Sequence, residues 1–282
     1  VQMVRTLLKV AKFDTTILLT GESGVGKTMA AKLIHDNSPR RDHTFIEVNC
    51  GSIPPTLIES ELFGYESGAF TGALKKGKIG VFELAHNSTL FLDEISEAGL
   101  DIQVRLLKAI DEGLIKPVGG EKTKKVNVRI IAATNKDLKE LVKKGLFRED
   151  LYYRLNVIPI EIPPLRDRKD DITPLCINFL NDFNKKYGSN KYFTVSALEV
   201  LKEYHWPGNV RELKNLVEQL VIVTQGDKID VMNLPLYMFK DNISNKSIHE
   251  EDSITKFLGL GLKKAMEVFE KKMIDAAIAK CG

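Results

Sequence analysis

Residues 21–28 read GESGVGKT, which fits the spacing of glycine, any four residues, glycine, lysine, then serine or threonine. The glycines let backbone N–H groups turn towards phosphate oxygens, and a following helix adds favourable partial charge. Lys27 is expected to reach the outer phosphates and the Thr28 hydroxyl to coordinate Mg²⁺. The predicted nucleotide-binding residues of this glycine-rich loop are Gly21, Glu22, Ser23, Gly24, Val25, Gly26, Lys27 and Thr28.

Two acids, Asp93 and Glu94, end the apolar run TLFLDE. The carboxyl ends of strands in an α/β sheet are where ligands bind. Asp93 is suited to coordinate Mg²⁺, and Glu94 to polarise an attacking water as a general base. The alternative is a pair of capping acids on the surface. An Asp-Glu pair also disfavours P-loop families that lack the glutamate, such as small GTPases.

Two further runs end in polar residues that we expect at the same sheet edge. Asn49 follows FIEV, and Thr134-Asn135 follows IIAA. Asn49 and Asn135 are candidates to orient water or contact phosphate, although asparagine is also a common turn former at strand ends.

Residues 147–154 read FREDLYYR and carry two arginines, Arg148 and Arg154, among acids and tyrosines. Hydrolysis of a γ-phosphate is greatly accelerated by an arginine supplied in trans. The alternative for both arginines is a salt-bridged surface helix.

A third candidate arginine, Arg211, lies in WPGNVRE, residues 206–212. Pro207-Gly208 breaks the chain, and Asn209 followed by Glu212 resembles a capping box at a helix start. A cation in the first helical turn is disfavoured by the macrodipole, so Arg211 is expected to face an anion such as ATP phosphate. The alternative is a plain surface arginine.

These candidates require an α/β fold to position them. Apolar, β-rich runs recur at Ile17–Thr20, Phe45–Asn49, Thr89–Asp93, 126–134 and 157–163, with helical patterns between them. Runs that are apolar on both faces are typical of a covered parallel sheet. After residue 164 the pattern is mostly helical, which predicts a smaller all-helical domain. We expect an α/β subdomain at 1–166, a helical lid at 167–238, a polar linker at 239–258 and one further helical segment within 259–282.

Composition indicates a globular protein and excludes several classes of function. The chain has 282 residues, 43% of them hydrophobic, with a net charge of +3 that is too balanced for general polyanion binding. Three scattered cysteines form neither a disulfide framework nor a metal site. No apolar run approaches the ~18 residues of a membrane span. We therefore expect a cytoplasmic protein, and because it begins at Val1, a fragment of a longer one.

The segment GAFTGA, residues 68–73, places one large apolar side chain among small residues. By itself it predicts a glycine-rich loop tip. The chain, however, contains six motifs in the order GESGVGKT, ELFGYESGAFTGA, TLFLDE, IIAATN, FREDLYYRL and WPGNVREL. With these motifs it closely resembles the AAA+ ATPase domain of bacterial enhancer-binding proteins, the activators of sigma-54 RNA polymerase. The resemblance covers roughly residues 1–238, and GAFTGA is its most specific part because other AAA+ branches lack it.

The resemblance implies a five-stranded AAA+ P-loop core, a helical lid and a ring, usually hexameric, with ATP bound between subunits. It implies that Asp93-Glu94 form the Walker B motif, that Asn49 is a switch for the catalytic glutamate, and that Asn135 belongs to sensor I. Arg148 and Arg154 then resemble trans arginine fingers, and Arg211 resembles the sensor II arginine. Sigma-54 would contact Gly68, Ala69, Phe70, Thr71, Gly72 and Ala73, with residues 116–125 as a second loop beside them.

The chain departs from this family in two respects. Position 28 is threonine, where the family often has glutamate, and threonine is the generic P-loop residue. The segment 259–282 resembles only the start of a Fis-like DNA-binding domain, so promoter or enhancer DNA is expected to be bound through a part that this chain lacks. Two alternatives remain open: an AAA+ remodeller or unfoldase with another protein client, and a nucleotide-gated scaffold without turnover.

Overall fold

The computed structural model of the protein describes residues 2–69 and 76–239. Phe70, Thr71, Gly72 and Ala73 of the GAFTGA segment lie outside these ranges, as do the C-terminal segment predicted at 259–282 and all but the first residue of the predicted linker. Within the described ranges, no helix is both long enough and apolar enough to cross a membrane.

Five parallel strands form the central sheet. They are β1 (Ile17–Thr20), β2 (Phe45–Asn49), β3 (Thr89–Asp93), β4 (Arg129–Thr134) and β5 (Ile158–Glu161), in the spatial order β2-β3-β4-β1-β5. The predicted α/β class with a five-stranded parallel sheet is confirmed. β4 and β5 are shorter than predicted, and Pro159, which lacks an N–H group, is accommodated because β5 is an edge strand.

Ten α-helices surround or follow the sheet in the described residues. They are α1 (Gln2–Ala11), α2 (Lys27–Asp36), α3 (Ile58–Phe63), α4 (Val81–Leu84), α5 (Leu100–Asp111), α6 (Leu138–Lys143), α7 (Glu149–Leu155), α8 (Ile172–Tyr187), α9 (Val195–Glu203) and α10 (Asn209–Val223). Two-residue strands pair antiparallel at Gly64–Tyr65 with Lys78–Ile79 and at Leu114–Ile115 with Lys124–Lys125.

Alternate residues of each strand supply two separate cores, because successive side chains of a strand point to opposite faces. On one face Leu90 and Leu92 of β3 pack in a cluster with residues of α3, α5 and α7. On the other face Phe91 packs with residues of α1 and α2. The sheet is therefore covered on both faces, as its uninterrupted apolar runs predict.

The chain divides into two compact units. The first contains residues up to 190 together with 205–223, and in it α8 packs against α10. The second contains 191–204 and, within the described residues, 224–239. There α9 is accompanied by a short parallel pair, Tyr192–Phe193 with Lys228–Ile229, in a region predicted to be wholly helical. The predicted domain boundaries stay a prediction.

The register of the sheet brings the predicted polar residues to one edge. Asn49 is the Cα partner of Asp93 across β2 and β3, and Thr20 is the partner of Thr134 across β1 and β4. The glycine-rich loop leaves β1 at this same edge, so the candidate residues are brought together by strand order alone.

Candidate active site

The glycine-rich loop connects β1 to α2 through backbone conformations that favour glycine. Gly24 and Gly26 have φ angles of 79° and 103°, in the region that residues with a Cβ rarely adopt. A Cβ on Gly24 would also lie 2.4 Å from the carbonyl oxygen of Gly208. The loop therefore needs glycine at position 24 for two independent reasons, its φ angle and its close approach to another segment.

Lys27 begins α2 and is largely buried, with 9% of its surface exposed. Its Nζ donates hydrogen bonds to the carbonyl oxygens of Gly21 at 2.8 Å and Glu22 at 3.0 Å. Burial lowers the pKa of Lys27, and the nearby carboxylates of Asp93 and Glu94 oppose that shift. The ammonium group is thus held within the loop and in the field of the acidic pair.

The acidic pair lies at the carboxyl end of β3, where the chain turns sharply. Glu94 has a φ angle of 53°, which is uncommon for a residue other than glycine and is concentrated at functional sites. Its N–H donates a 3.0 Å hydrogen bond to Asp93 Oδ1. Asp93 thereby anchors the backbone of Glu94 through a bond that does not involve the Glu94 carboxyl group.

A cavity of about 470 Å³ gathers most of the predicted nucleotide-binding residues. One side of the cavity consists of the glycine-rich loop, the start of α2 and the ends of β3 and β4, and is lined by Ser23, Gly24, Gly26, Lys27, Thr28, Met29, Asp93, Glu94 and Asn135. The other side consists of α10 and is lined by Val210, Arg211, Lys214, Asn215 and Glu218. Three of the predicted loop residues, Gly21, Glu22 and Val25, are outside this lining in the described part of the chain. The cavity combines two lysines, an arginine, three acids and a helix N-terminus, a set suited to a phosphate and a hard cation.

Helix α10 is bonded directly to the glycine-rich loop. The N–H of Val210 donates to the Gly24 carbonyl oxygen at 3.0 Å, and Arg211 Nη1 donates to Ser23 Oγ at 2.9 Å. Arg211 lies in the first turn of α10, as predicted, and it faces the cavity. Residues more than 180 positions apart therefore form one wall.

The predicted capping role of Asn209 is wrong. Asn209 is fully buried with a φ angle of 53°, and its side chain bonds to Leu165, Glu22 and Ser23. Glu212 nevertheless caps the helix, because its Oε2 accepts a 2.8 Å hydrogen bond from the N–H of Gly208. The spacing of Asn209 and Glu212 correctly indicated a helix start. The orientation of the Asn209 side chain, however, is determined by its buried contacts.

Sequence reasoning missed two arginines, Arg166 and Arg168, that donate hydrogen bonds to the glycine-rich loop. Arg166 donates two hydrogen bonds to the Glu22 carboxylate, and Arg168 Nη2 donates to the Val25 carbonyl oxygen at 2.6 Å. The hydrogen bonds from Arg166, then that from Asn209, lower the pKa of Glu22 to about 2. The stretch LRDR after the two prolines was the available signal, since two arginines in one short turn require anionic or carbonyl partners.

Asn49 lies beside the acidic pair but makes a local contact. Its Oδ1 accepts a 2.9 Å hydrogen bond from the N–H of Ser52, and among the described residues it forms no hydrogen bond to Glu94. A Cβ on Gly51 would lie 2.3 Å from Glu94 Oε2 and 3.4 Å from Asn49 Oδ1, so both side chains converge on Gly51. The switch role of Asn49 stays a prediction.

Arg148 and Arg154 lie at the two ends of α7, outside the cavity lining in the described residues. Arg148 pairs with Asp150 at 2.6 Å and Arg154 with Asp111 at 3.1 Å. Both arginines are about two-fifths exposed, at 41% and 44% of their side-chain surface. The single chain therefore shows a salt-bridged surface helix, and action on a neighbouring subunit stays a prediction.

The residues that precede the GAFTGA segment are hydrogen-bonded to the predicted second loop, residues 116–125. Val118 donates to the Gly64 carbonyl oxygen at 2.8 Å and accepts from the N–H of Glu66 at 3.0 Å. A Cβ on Gly119 would lie 2.7 Å from the Cβ of Ala69. The two segments are thus adjacent where the chain is described, at Gly68 and Ala69.

Comparison with known proteins identifies the family. Residues 1–161, more than half of the chain, match the family model described as the sigma-54 interaction domain. The chain belongs to the sigma-54 interaction domain family. Residues 166–251 match a second model, the AAA+ ATPase lid domain. The predicted resemblance to the ATPase domain of sigma-54-dependent activators is confirmed.

Relatives with a regulatory role support the same assignment. The chain is 48% identical over 241 residues to the Nif-specific regulatory protein of Klebsiella pneumoniae, covering 86% of this chain and 46% of that protein. It is 49% identical over 228 residues to the DNA-binding transcriptional regulator NtrC of Rhizobium meliloti, covering 81% of this chain and 47% of that protein. The chain thus spans about half the length of these curated relatives.

Solved structures agree with the fold. Crystal structures of NtrX from Brucella abortus match with a TM-score of 0.79 and 34% identity over the whole of this chain and 61% of that chain. Structures of NtrX in complex with ADP and with ATP match at 35% and 34% identity. Membership of the sigma-54 interaction domain family, followed by an AAA+ ATPase lid domain, implies an ATPase.

Proposed function

We propose that this chain hydrolyses ATP with Mg²⁺ and uses the cycle to remodel closed promoter complexes of sigma-54 RNA polymerase. One observation carries the catalytic part: a single cavity gathers Lys27, Thr28, Asp93, Glu94 and Arg211 from distant parts of the sequence. The family model supports the sigma-54 partner, and the nucleotide complexes of NtrX support ATP.

The residues present fit a triphosphate. The positive φ angles of Gly24 and Gly26 bring the loop backbone around the N-terminus of α2, and Lys27 begins that helix. Backbone N–H groups and the helix end then favour phosphate oxygens. Lys27 lines the cavity from the glycine-rich loop and Arg211 from α10, so both sides offer a cation to the outer phosphates.

The same cavity fits Mg²⁺ through oxygen ligands. Thr28 and Asp93 both line it and provide a hydroxyl and a carboxylate. Within the described residues no group of three or more His, Cys, Asp or Glu side chains is placed to hold a metal. Mg²⁺ typically binds few protein ligands plus substrate phosphates, so a hydroxyl and a carboxylate are a sufficient protein contribution. When bound, the ion neutralises charge that develops on the phosphates.

The chain's own residues then have separable roles in hydrolysis. Glu94 accepts a proton from the attacking water, and its position is set by the hydrogen bond between its N–H and Asp93. Asn135 lines the cavity at the end of β4 and orients water or phosphate. Arg211 stabilises negative charge from the α10 side.

Assembly into a ring, usually hexameric in this family, supplies the remaining cations. Arg148 and Arg154 are exposed at the ends of α7, where a neighbouring subunit can be reached. Each is paired with an acid of its own chain, so acting in trans requires exchange of that surface ion pair, which costs little. Asn49 is then the switch residue beside Glu94.

The GAFTGA loop couples the ATP hydrolysis cycle to sigma-54 through direct contact. Within it, the residue types of Phe70 and Thr71 offer an apolar and a hydroxyl contact to sigma-54. The base of the loop, at Gly64 and Glu66, is fixed to Val118. We propose the cytoplasm as the compartment because bacterial transcription occurs there.

Substitution of Thr71 by alanine tests the partner. We expect the Thr71→Ala variant to retain ATP hydrolysis and to lose activation of a sigma-54-dependent promoter. The matched control is Thr56→Ala, which removes an exposed hydroxyl elsewhere and leaves both activities intact. Activation by the Thr71→Ala variant at the wild-type level would indicate a different client.

A further inference from the structure

Glu22 lies inside the glycine-rich loop, yet its carboxylate is bonded to residues far away in the sequence. Arg166 donates to it twice, from Nη1 to Oε2 at 2.9 Å and from Nη2 to Oε1 at 2.6 Å. Asn209 Nδ2 donates to Oε2 at 3.0 Å. We call Glu22, Arg166 and Asn209 the Glu22 cluster.

Asn209 makes this cluster a junction of three segments. Its Oδ1 accepts a 2.8 Å hydrogen bond from the N–H of Leu165, and its Nδ2 also donates to the Ser23 carbonyl oxygen at 3.1 Å. The side chain is fully buried and lies at the first residue of α10. One amide group therefore joins the glycine-rich loop, the turn that follows β5 and the start of α10.

The same turn holds the other end of the loop. Arg168, two residues after Arg166, donates from Nη2 to the Val25 carbonyl oxygen at 2.6 Å. The loop is therefore held by hydrogen bonds at Glu22 and at Val25, on either side of Ser23 and Gly24. Those two central residues are the ones that contact α10 through Arg211 and Val210.

The Glu22 carboxylate is not placed to bind a phosphate itself. A carboxylate repels phosphate, and its oxygens already accept three hydrogen bonds from the cluster. The bidentate interaction with Arg166 fixes both carboxylate oxygens in one orientation. The arrangement instead determines where the loop backbone lies relative to α10.

We infer that Glu22 is a positioning residue that aligns the glycine-rich loop with α10, so that the loop N–H groups and Arg211 meet the same nucleotide. The inference rests on the proposed function only in taking that nucleotide to be ATP. Glu22 and Arg166 are 42% and 39% exposed, and ion pairs this exposed contribute little to stability. Loss of the pair is therefore expected to misalign the site without unfolding the chain.

The test compares Glu22→Gln, Arg166→Met and the double variant with wild type. We expect each single variant to raise the Kd for a fluorescent ATP analogue by roughly tenfold. Turnover at saturating ATP should fall by less than the affinity does, because Glu94, the proposed proton acceptor, is unchanged. The double variant should bind no more weakly than either single variant, since both remove the same interaction.

The control is Glu140→Gln, which removes a comparable exposed ion pair with Lys143 on α6 and should leave the Kd unchanged. Thermal unfolding of each variant should stay within about 2 °C of wild type. Unchanged affinity in Glu22→Gln, additive losses in the double variant, or a loss of affinity explained by unfolding would overturn the inference. A wild-type chain that binds but does not hydrolyse ATP would contradict the proposed function alone, and one that binds no nucleotide would contradict both.

Discussion

Arg211 Nη1 donates a 2.9 Å hydrogen bond to Ser23 Oγ, although the two residues are 188 positions apart in the sequence. Ser23 lies in the glycine-rich loop and Arg211 in the first turn of α10. The bond places a cation at a helix N-terminus, where the macrodipole disfavours it, next to the loop where phosphate is expected. The pairing brings the glycine-rich loop and α10 together at one cavity.

Gly24→Ala is expected to disrupt the contact between the loop and α10. The new Cβ would lie 2.4 Å from the Gly208 carbonyl oxygen, and the φ angle of 79° is strained for alanine. The matched control is Gly145→Ala, where φ is 68° and a Cβ meets nothing within 4 Å. The control should cost about 1 kcal/mol in free energy of unfolding, from the backbone alone. Denaturant unfolding and nucleotide titration should show a larger loss of stability, and loss of binding, only for Gly24→Ala.

Glu94→Gln is expected to separate binding from turnover. The substitution keeps the size of the side chain and the N–H bond to Asp93, but removes the proton acceptor. ATP should bind within a few-fold of wild type, while the hydrolysis rate should fall by roughly 10²–10⁴. Phosphate release under single-turnover conditions measures this directly. Wild-type turnover in Glu94→Gln would exclude Glu94 as the general base.

Mixing variants tests whether Arg148 or Arg154 acts in trans. Lys27→Ala should be inactive because it lacks the phosphate ligand, and Arg154→Ala or Arg148→Ala because it lacks the finger. An arginine finger supplies roughly 10³–10⁵ in rate. A mixture of Lys27→Ala with an arginine variant should recover part of the ATPase activity, since one subunit keeps a finger and the other keeps a cavity.

The mixture has a built-in control, because Lys27→Ala combined with Glu94→Gln impairs the cavity of every subunit and should stay inactive. If neither arginine variant is complemented by Lys27→Ala, the surface ion pairs with Asp150 and Asp111 are their whole role.

The Glu22 carboxylate predicts a dependence of stability on acid pH. Its folded pKa is about 2, below the ordinary value of 4.5, because Arg166 and Asn209 donate to it. A depressed carboxyl pKa gives stabilisation that is present above the unfolded pKa and lost as the pH falls through the folded one. Between pH 4.5 and about 2, wild type should lose more stability than Glu22→Gln, by a small margin because the pair is partly exposed. Identical pH profiles of denaturant unfolding would contradict this assignment of the pKa.

The local parts of the fold and the site could be predicted because they depend on residues that are close together in the sequence. β1, β2 and β3 have the predicted bounds, since each apolar run is bracketed by polar or glycine residues. β4 begins at Arg129 rather than 126, because the N–H of Val126 is bonded to the Gly113 carbonyl oxygen instead. Parallel strand order then follows from the α/β pattern, and with it the edge shared by Asn49, Asp93 and Thr134.

The long-range parts could not be predicted from one sequence. Nothing in the spacing of Glu22, Arg166 and Asn209 indicates that they meet, because the bonds depend on how the turn after β5 returns to the loop. Asn209 was assigned to a cap because that role is local and common. Buried hydrogen bonds over a separation of 187 residues outweighed it.

Promoter opening in the presence of sigma-54 RNA polymerase tests the central proposal most directly. The chain is added in excess to a closed promoter complex, and strand separation is measured by the reactivity of unpaired thymines. With ATP and Mg²⁺, wild type should open the promoter, while Glu94→Gln or a non-hydrolysable ATP analogue should not. Opening that is equally extensive without hydrolysis would contradict the account, as would an active ATPase that leaves the promoter closed.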